Sequence, residues 1–390
     1  MSPTTHTLQT APQRLVPLLR TLPRMPFLSF MVAALAISAA FGVKAEDGIT
    51  RSVVTLGQSV ALSGPAATLG LPFAQGARLY FDRVNAAGGI NGRKVDLLTL
   101  DDAGTPAQAV LNTQKFLGQP VFSLFGYYGS PQVTAVNPLL KDTDMLLVGS
   151  MAGADELRGS LYPNVYSIRP GYAEEAAVVT RHAETLGMRK LAIFHAKDPE
   201  SLAALDSAQR TMSSLGANLL LVAALENTDK VLTVKAESVL VISEPKGAAV
   251  AIRALRAKGY KGPIYGFSNT GESLLADQLG AAGAGVVVAR VTPKPDNAKS
   301  TLVRELQLDA TAAKLGKSNV YMLEGYIAAW VYTEALRKAG KEPTRAKLQK
   351  ALDTMQELNL GGFRVHFDGD RVGSKLVELS MIDSTGRLRE

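Results

Sequence analysis

Apolar positions follow two rhythms along most of this chain. Short apolar runs that stop at glycine or at a polar pair predict buried strands, and i, i+3, i+4 spacing predicts amphipathic helices. Ser52 to Val60 reads as a first strand, broken by Leu62-Ser63-Gly64-Pro65. Phe73, Ala77, Tyr80, Phe81 and Val84 share one helical face, which predicts a helix from Pro72 to Ala87, ended at Gly88-Gly89-Ile90-Asn91-Gly92. A strand from Val95 to Leu100, a helix from Pro106 to Leu117, and strands over Val121 to Phe125 and Met145 to Val148 follow. The alternation restarts after the extended segment Val165 to Ile168. Helices are predicted over Ala173 to Leu186, Pro199 to Leu215 and Lys246 to Lys258, with a short one from Glu272. Between them lie strands Lys190 to His195, Ala217 to Ala223, Ser238 to Ser243, Pro263 to Phe267 and Gly285 to Val291. Beyond the Pro-rich break Thr292 to Asp296, helices are predicted over Lys299 to Leu315, Asn319 to Ala339 and Pro343 to Thr354. Two strands, Gly362 to Phe367 and Lys375 to Ile382, close the chain. Strands alternating with helices predict an α/β fold of two units, each a parallel sheet covered on both faces.

One corner in this pattern carries candidate chemistry. The apolar run Val121 to Phe125 ends at Gly126 and is followed by Tyr127, Tyr128, Gly129, Ser130 and Pro131. Serine is a favoured N-cap and proline suits the first helical position, so a helix is predicted to begin here with Ser130 as its cap. A helix start presents unpaired N–H groups and a partial positive charge, which suits an anion. The tyrosines offer flat amphipathic walls, or they pack in the core.

Composition changes the picture mainly at the N-terminus. The 390 residues are 46% hydrophobic and 20% charged, enough for two ordinary domains. The net charge is +7, but residues 1–45 contribute Arg14, Arg20, Arg24 and Lys44 with no acid, leaving 7 − 4 = +3 for the rest. No basic stripe with interleaved aromatics occurs, so nucleic acid is not an expected partner. Basic residues precede the apolar run Phe27 to Val43, and Val43-Lys44-Ala45 has the form of a cleavage site. Residues 1–45 are therefore expected to be a secretory signal peptide, with either Met1 or Met25 as its start. The chain has no cysteine, which excludes disulfides, thiolate metal sites, a cysteine nucleophile and a lipid-modified cysteine. A free periplasmic protein is expected.

Enzymatic motifs fail on inspection. Gly316-Lys317-Ser318 lacks the upstream glycine of a phosphate loop, where Thr311 stands, and it follows a helix. Gly266-Phe267-Ser268-Asn269 has Thr270 where a nucleophile elbow needs glycine. His182, His195 and His366 are not at metal-ligand spacing. Asp101-Asp102 is read as a strand end with at least one structural acid. No catalytic residue, metal or cofactor is expected.

Several local motifs now point one way. Gly57-Gln58-Ser59 with Leu62 to Pro65, Asn85 to Lys94 followed by Asp101-Asp102 and Pro106, Tyr162 to Val165, Arg169 to Tyr172 with Glu175, and Leu323-Glu324-Gly325-Tyr326 carry the likeness. Over residues 49–390 the chain resembles the leucine/isoleucine/valine-binding protein family, the type I periplasmic solute-binding proteins of ABC importers. The resemblance implies two doubly wound parallel-sheet lobes joined by a three-strand hinge, closing on a ligand in the cleft. The first lobe is expected over 49–168 and 293–360, and the second over 169–292 and 361–390.

The resemblance also implies a ligand site. Ser130 matches the position that holds the ligand carboxylate in amino-acid-binding members, with Gly129, Tyr127 and Tyr128 beside it. Backbone near Ser150, Met151 and Gly153 belongs to the same site. Tyr172 is expected either at the ligand or in a hinge or core role, and Glu324 as an acid on the helix surface or pinning the lobes. The chain departs from the pattern where Leu69 replaces an aromatic, Gly153 a hydroxyl, Glu200 a tyrosine, and Ser268 the acid that pairs with the ligand ammonium. Glu200 and Glu244 are the candidate substitutes for that acid. A small carboxylate-bearing solute, an organic or aromatic acid or an amino acid, is therefore expected, delivered to an inner-membrane ABC permease by a monomer. The alternative is a sensing module of the same fold that reports to a membrane receptor.

Overall fold

The structure is a computed structural model that describes residues 46–367 and 369–389. The expected signal peptide, cleavage site and alternative start lie outside these residues. The first sheet is built from β1 (Val53–Val60), β2 (Lys94–Asp101), β3 (Ser123–Phe125), β4 (Leu147–Val148) and β5 (Val165–Tyr166), in the order β2-β1-β3-β4-β5. Every pairing in it is parallel. Three helices connect these strands: α1 (Ala67–Ala86), α2 (Pro106–Leu117) and α3 (Ser130–Leu140).

The second sheet begins after α4 (Tyr172–Thr185). It alternates β6 (Lys190–His195), α5 (Pro199–Ser214), β7 (Asn218–Ala224), β8 (Ser238–Ile242), α6 (Pro245–Ala257), β9 (Ile264–Gly266), α7 (Glu272–Leu279) and β10 (Val286–Arg290). Helices α8 (Thr301–Ala312), α9 (Val320–Ala339) and α10 (Arg345–Asp353) then return to the first lobe. Strands β11 (Leu358–Leu360), β12 (Phe363–Val365), β13 (Glu378–Ile382) and β14 (Leu388–Arg389) complete the described chain. The second sheet runs β14-β13-β10-β9-β8-β6-β7, with β13 and β14 antiparallel and the rest parallel.

Strand alternation explains why helices cover both faces of each sheet. On β8, Val239 and Val241 enter one apolar cluster, and Leu240 and Ile242 enter the cluster on the opposite face. On β3, Leu124 and Phe125 divide in the same way. Successive strand side chains point to opposite faces, so a strand apolar at every position must be buried on both sides. The result is two doubly wound parallel-sheet lobes. Among the described residues no helix is long and apolar enough to cross a membrane.

Three local results differ from the sequence reading. Helix α1 begins at Ala67, so Pro72 lies inside it. The early turn is held by packing: Leu69 is buried, and a Cβ at Gly70 would lie 2.3 Å from the Ala61 carbonyl oxygen. Gly361-Gly362, expected as a lobe boundary, is instead the turn of the β11–β12 hairpin, both residues at positive φ. Phe363, Val365 and Phe367 consequently join the core of the first lobe. Strand β14 was not anticipated; Asp383 builds the turn before it by accepting from the N–H groups of Thr385 and Arg387.

Helices α1 and α9 meet backbone to backbone. A Cβ at Gly76 would lie 1.9 Å from the Met322 carbonyl oxygen, and one at Gly325 would lie 1.9 Å from that of Phe73. Gly325→Ala is therefore expected to force the helices apart and cost about 1–3 kcal/mol or more. A urea midpoint unchanged from that of the parent would contradict this packing.

Candidate ligand-binding site

The corner after β3 is formed as a strand-to-helix turn, but its cap is Gly129. That residue takes φ 95°, a left-handed value suited to glycine, and Ser130 becomes the first helical residue. The correction has a chemical consequence, because the Ser130 hydroxyl is not used on its own helix. Its oxygen accepts from the N–H groups of Gly153 (3.1 Å) and Ala154 (3.0 Å). Its proton goes across the cleft to the Glu200 carboxylate at 2.9 Å.

Glu200 is the second residue of α5, placed there by the Asp198 N-cap and by Pro199 at the helix start. It reaches the first lobe and enters the corner where an anion was expected. The Ser130 backbone N–H donates to Oε2 at 2.6 Å, and the Tyr172 hydroxyl donates to Oε1 at 2.6 Å. All three bonds are donated to the carboxylate, the arrangement of an ionised acid. Burial pushes its pKa above the ordinary carboxylate value, and the bonds from Tyr172 and Ser130 and the charge of Arg169 work against that rise. The corner thus has carboxylate-binding chemistry, and the carboxylate in it belongs to the chain itself.

Tyr172 and Gly153 are matched in shape. A Cβ at Gly153 would lie 2.7 Å from the Tyr172 ring, so the glycine makes room for the tyrosine that reaches Glu200. Phe267 stacks on the Tyr172 ring, with ring centroids 5.8 Å apart. Tyr172 is fully buried and serves Glu200 from the start of α4.

The other expected residues divide between cavity wall and support. Tyr128 lines a cavity of about 300 Å³, together with Gln132, Asp198, Glu200 and Glu244. Tyr127 is a core residue whose hydroxyl pairs with Thr113 Oγ1 at 2.9 Å, so its role is packing. Ser150 pairs with Ser167, just after β5, at 3.1 Å. Met151 and Leu69 are buried in the first-lobe core and do not line the cavity. Glu244 does line it, and caps α6 by accepting from the N–H groups of Lys246 and Gly247. A larger cavity, about 690 Å³, lies near Pro293, Gly361 and Ser374 and shares no residue with the Ser130 corner.

Ser268 is engaged elsewhere. Its N–H and hydroxyl donate to Glu175 at 2.6 and 2.7 Å, and its oxygen accepts from Arg169. Arg169 also pairs with Glu175 (3.2 Å) and with Glu324 on α9 (3.6 Å). Burial opposes the Arg169 charge, but Glu324 and Glu175 outweigh it and hold its pKa above the ordinary value. The group joins α4, α9 and the segment between β5 and α4, so Glu324 pins the lobes. Sequence reasoning missed Gln132, Asp198 and the Arg169 cluster as a unit. The α3–α5 approach brings Gln132 and Asp198 to one cavity, and the packing of α4 and Ser268 against α9 assembles the Arg169 cluster.

A sequence model described as periplasmic binding protein matches residues 53–386, nearly all of the described chain. The chain belongs to the periplasmic binding protein family. Curated relatives place it among the leucine/isoleucine/valine-binding branch of the type I members. It is similar to the Leu/Ile/Val-binding protein BraC3 of Rhizobium johnstonii, 26% identical over 341 residues, covering 85% of this chain and 90% of that one. It is 25% identical to the leucine-specific-binding protein of Salmonella typhimurium over 343 residues, covering 85% and 87%. Among solved structures, a substrate-binding periplasmic protein from Ralstonia solanacearum superposes with a TM-score of 0.79 at 28% identity, covering 86% of this chain and 99% of that one. The family consists of substrate-binding proteins of ABC importers, and it is periplasmic.

Proposed function

We propose that this chain is the solute-binding component of an ABC importer of the branched-chain amino acid type. It captures a small organic solute between its lobes and delivers it to an inner-membrane permease. It acts as a free periplasmic monomer, released from its signal peptide, and carries out no catalysis. The division into lobes follows the two sheets, with hinge crossings after β5, after β10 and after β12. The observation that carries this reading is the cavity of about 300 Å³ between α3 of one lobe and α5 and α6 of the other. That volume is at the lower end of small-molecule sites, and an inter-lobe cleft beyond parallel strand ends is where such a fold binds. A carboxylate-bearing solute of the kind the sequence predicts would enter the Ser130 corner only by displacing Glu200.

Native mass spectrometry after incubation with a periplasmic small-molecule extract tests the proposal. A 1:1 adduct is expected on the parent protein and is expected to vanish in Ala66→Trp, which fills the cavity from its wall. No adduct on the folded parent, or an equal adduct on the variant, would overturn it.

A further inference from the structure

We infer that the cleft selects a small organic cation, an amine or similar nitrogen donor, rather than a carboxylate. The inference rests on the reading of the cleft as the solute site and names the charge of the solute. Its first support is the occupied corner. Glu200 already takes the Ser130 N–H, the Ser130 hydroxyl and the Tyr172 hydroxyl, the donors that a ligand carboxylate would need.

The second support is the charge of what remains. Asp198, Glu200 and Glu244 line the cavity, and none of the described residues lining it is basic. Glu200 and Glu244 are only partly exposed, so solvent screens them less than surface acids. Asp198 and Glu244 are fixed in place by the helix N–H groups they cap, and a carboxylate oxygen has lone pairs left beyond one such bond. A second anion placed here meets repulsion from three acids and touches no basic residue in the lining. An ammonium meets attraction from the same three.

The third support is independent of charge. Gln132 is buried, lines this cavity, and its Oε1 has no hydrogen-bond partner. Buried acceptors are rarely left unpaired, and a donor on the ligand would satisfy this one once the amide turns toward the cavity. The side chain is confined, because the left-handed Gly129 brings backbone so close that a Cβ there would lie 2.1 Å from Oε1. Tyr128 adds an aromatic ring to the lining, a group that attracts cations. Acceptors, acids and an aromatic ring all call for an N–H donor with positive charge.

Calorimetry with benzylamine and benzoate, two charges on one skeleton, tests the inference on the intact protein. Benzylamine is expected to bind at least tenfold more tightly than benzoate. Glu244→Gln is expected to weaken benzylamine at least tenfold, with the melting temperature recorded to show that the variant is folded. Affinity for benzoate equal to or above that for benzylamine, an unchanged affinity in Glu244→Gln, or binding of neither probe would each overturn the cation inference. The extract experiment above would still decide whether the cleft binds a solute at all, so the two failures are separable.

Discussion

Glu200→Ala is expected to loosen the contact between the lobes and to make the protein responsive to acetate. The variant removes three hydrogen bonds donated to one carboxylate, at 2.6, 2.6 and 2.9 Å. Bonds to charged groups contribute more than neutral ones, but burial of the carboxylate offsets part of the gain. A net loss of about 2–3 kcal/mol is expected. The side chains left behind define the rescue. Ser130 remains held by the Gly153 and Ala154 N–H groups, and Tyr172 remains stacked on Phe267, so the donors stay aimed at an empty position. Millimolar acetate or formate should fill it and raise the melting temperature of Glu200→Ala toward that of the parent, which should itself show no such response. An equal response to acetate in parent and variant would contradict the assignment of the corner to Glu200.

Arg169→Met is expected to have the larger effect on stability. The arginine is buried and is shared by Glu175, Glu324 and the Ser268 hydroxyl. Removing it leaves two buried carboxylates without their cation, a change that costs roughly 3–5 kcal/mol. The pH dependence has a definite sign. Burial already raises the Glu175 and Glu324 pKa values above the ordinary carboxylate value, and Arg169 is the main influence lowering them. Without it both rise further. An acid whose folded pKa is raised gives stability that is present below its unfolded pKa and is lost as pH rises through its folded pKa. The variant should therefore lie nearest the parent at acidic pH and fall away from it as pH rises beyond the ordinary carboxylate range. Urea midpoints across that range measure the gap, and a gap that narrowed with rising pH would contradict the account.

The fold was legible because its signals are local. Runs such as Ser238 to Ser243 and helix starts such as Pro106 and Pro199 specify their own elements, and their alternation specifies the class. Element ends were less legible where packing overrides propensity, as at Ala67, where a buried Leu69 and the tight approach of Gly70 start a helix ahead of a proline. The corner at Ser130 was visible from its Gly-Ser-Pro order, although the cap proved to be Gly129. Its occupant was not visible. Glu200 stands seventy residues further on and in the other lobe, and nothing in Pro199-Glu200-Ser201 reveals what that carboxylate will face. In the same way Gly153 read as a lost hydroxyl, whereas its lack of a Cβ is what admits the Tyr172 ring. Departures from a family pattern are legible one at a time, but their mutual compensation depends on the approach of two lobes.

That approach is the central claim, and one distance measurement tests it most directly. The chain has no cysteine, so Leu111→Cys on α2 and Val250→Cys on α6, both exposed positions, would carry the only two thiols for spin labels. Double electron–electron resonance is predicted to give one dominant distance between the lobes in this background and a broader, longer distribution once Glu200→Ala is added. Identical distributions with and without Glu200 would contradict a cleft held together at the Ser130 corner by the chain's own carboxylate.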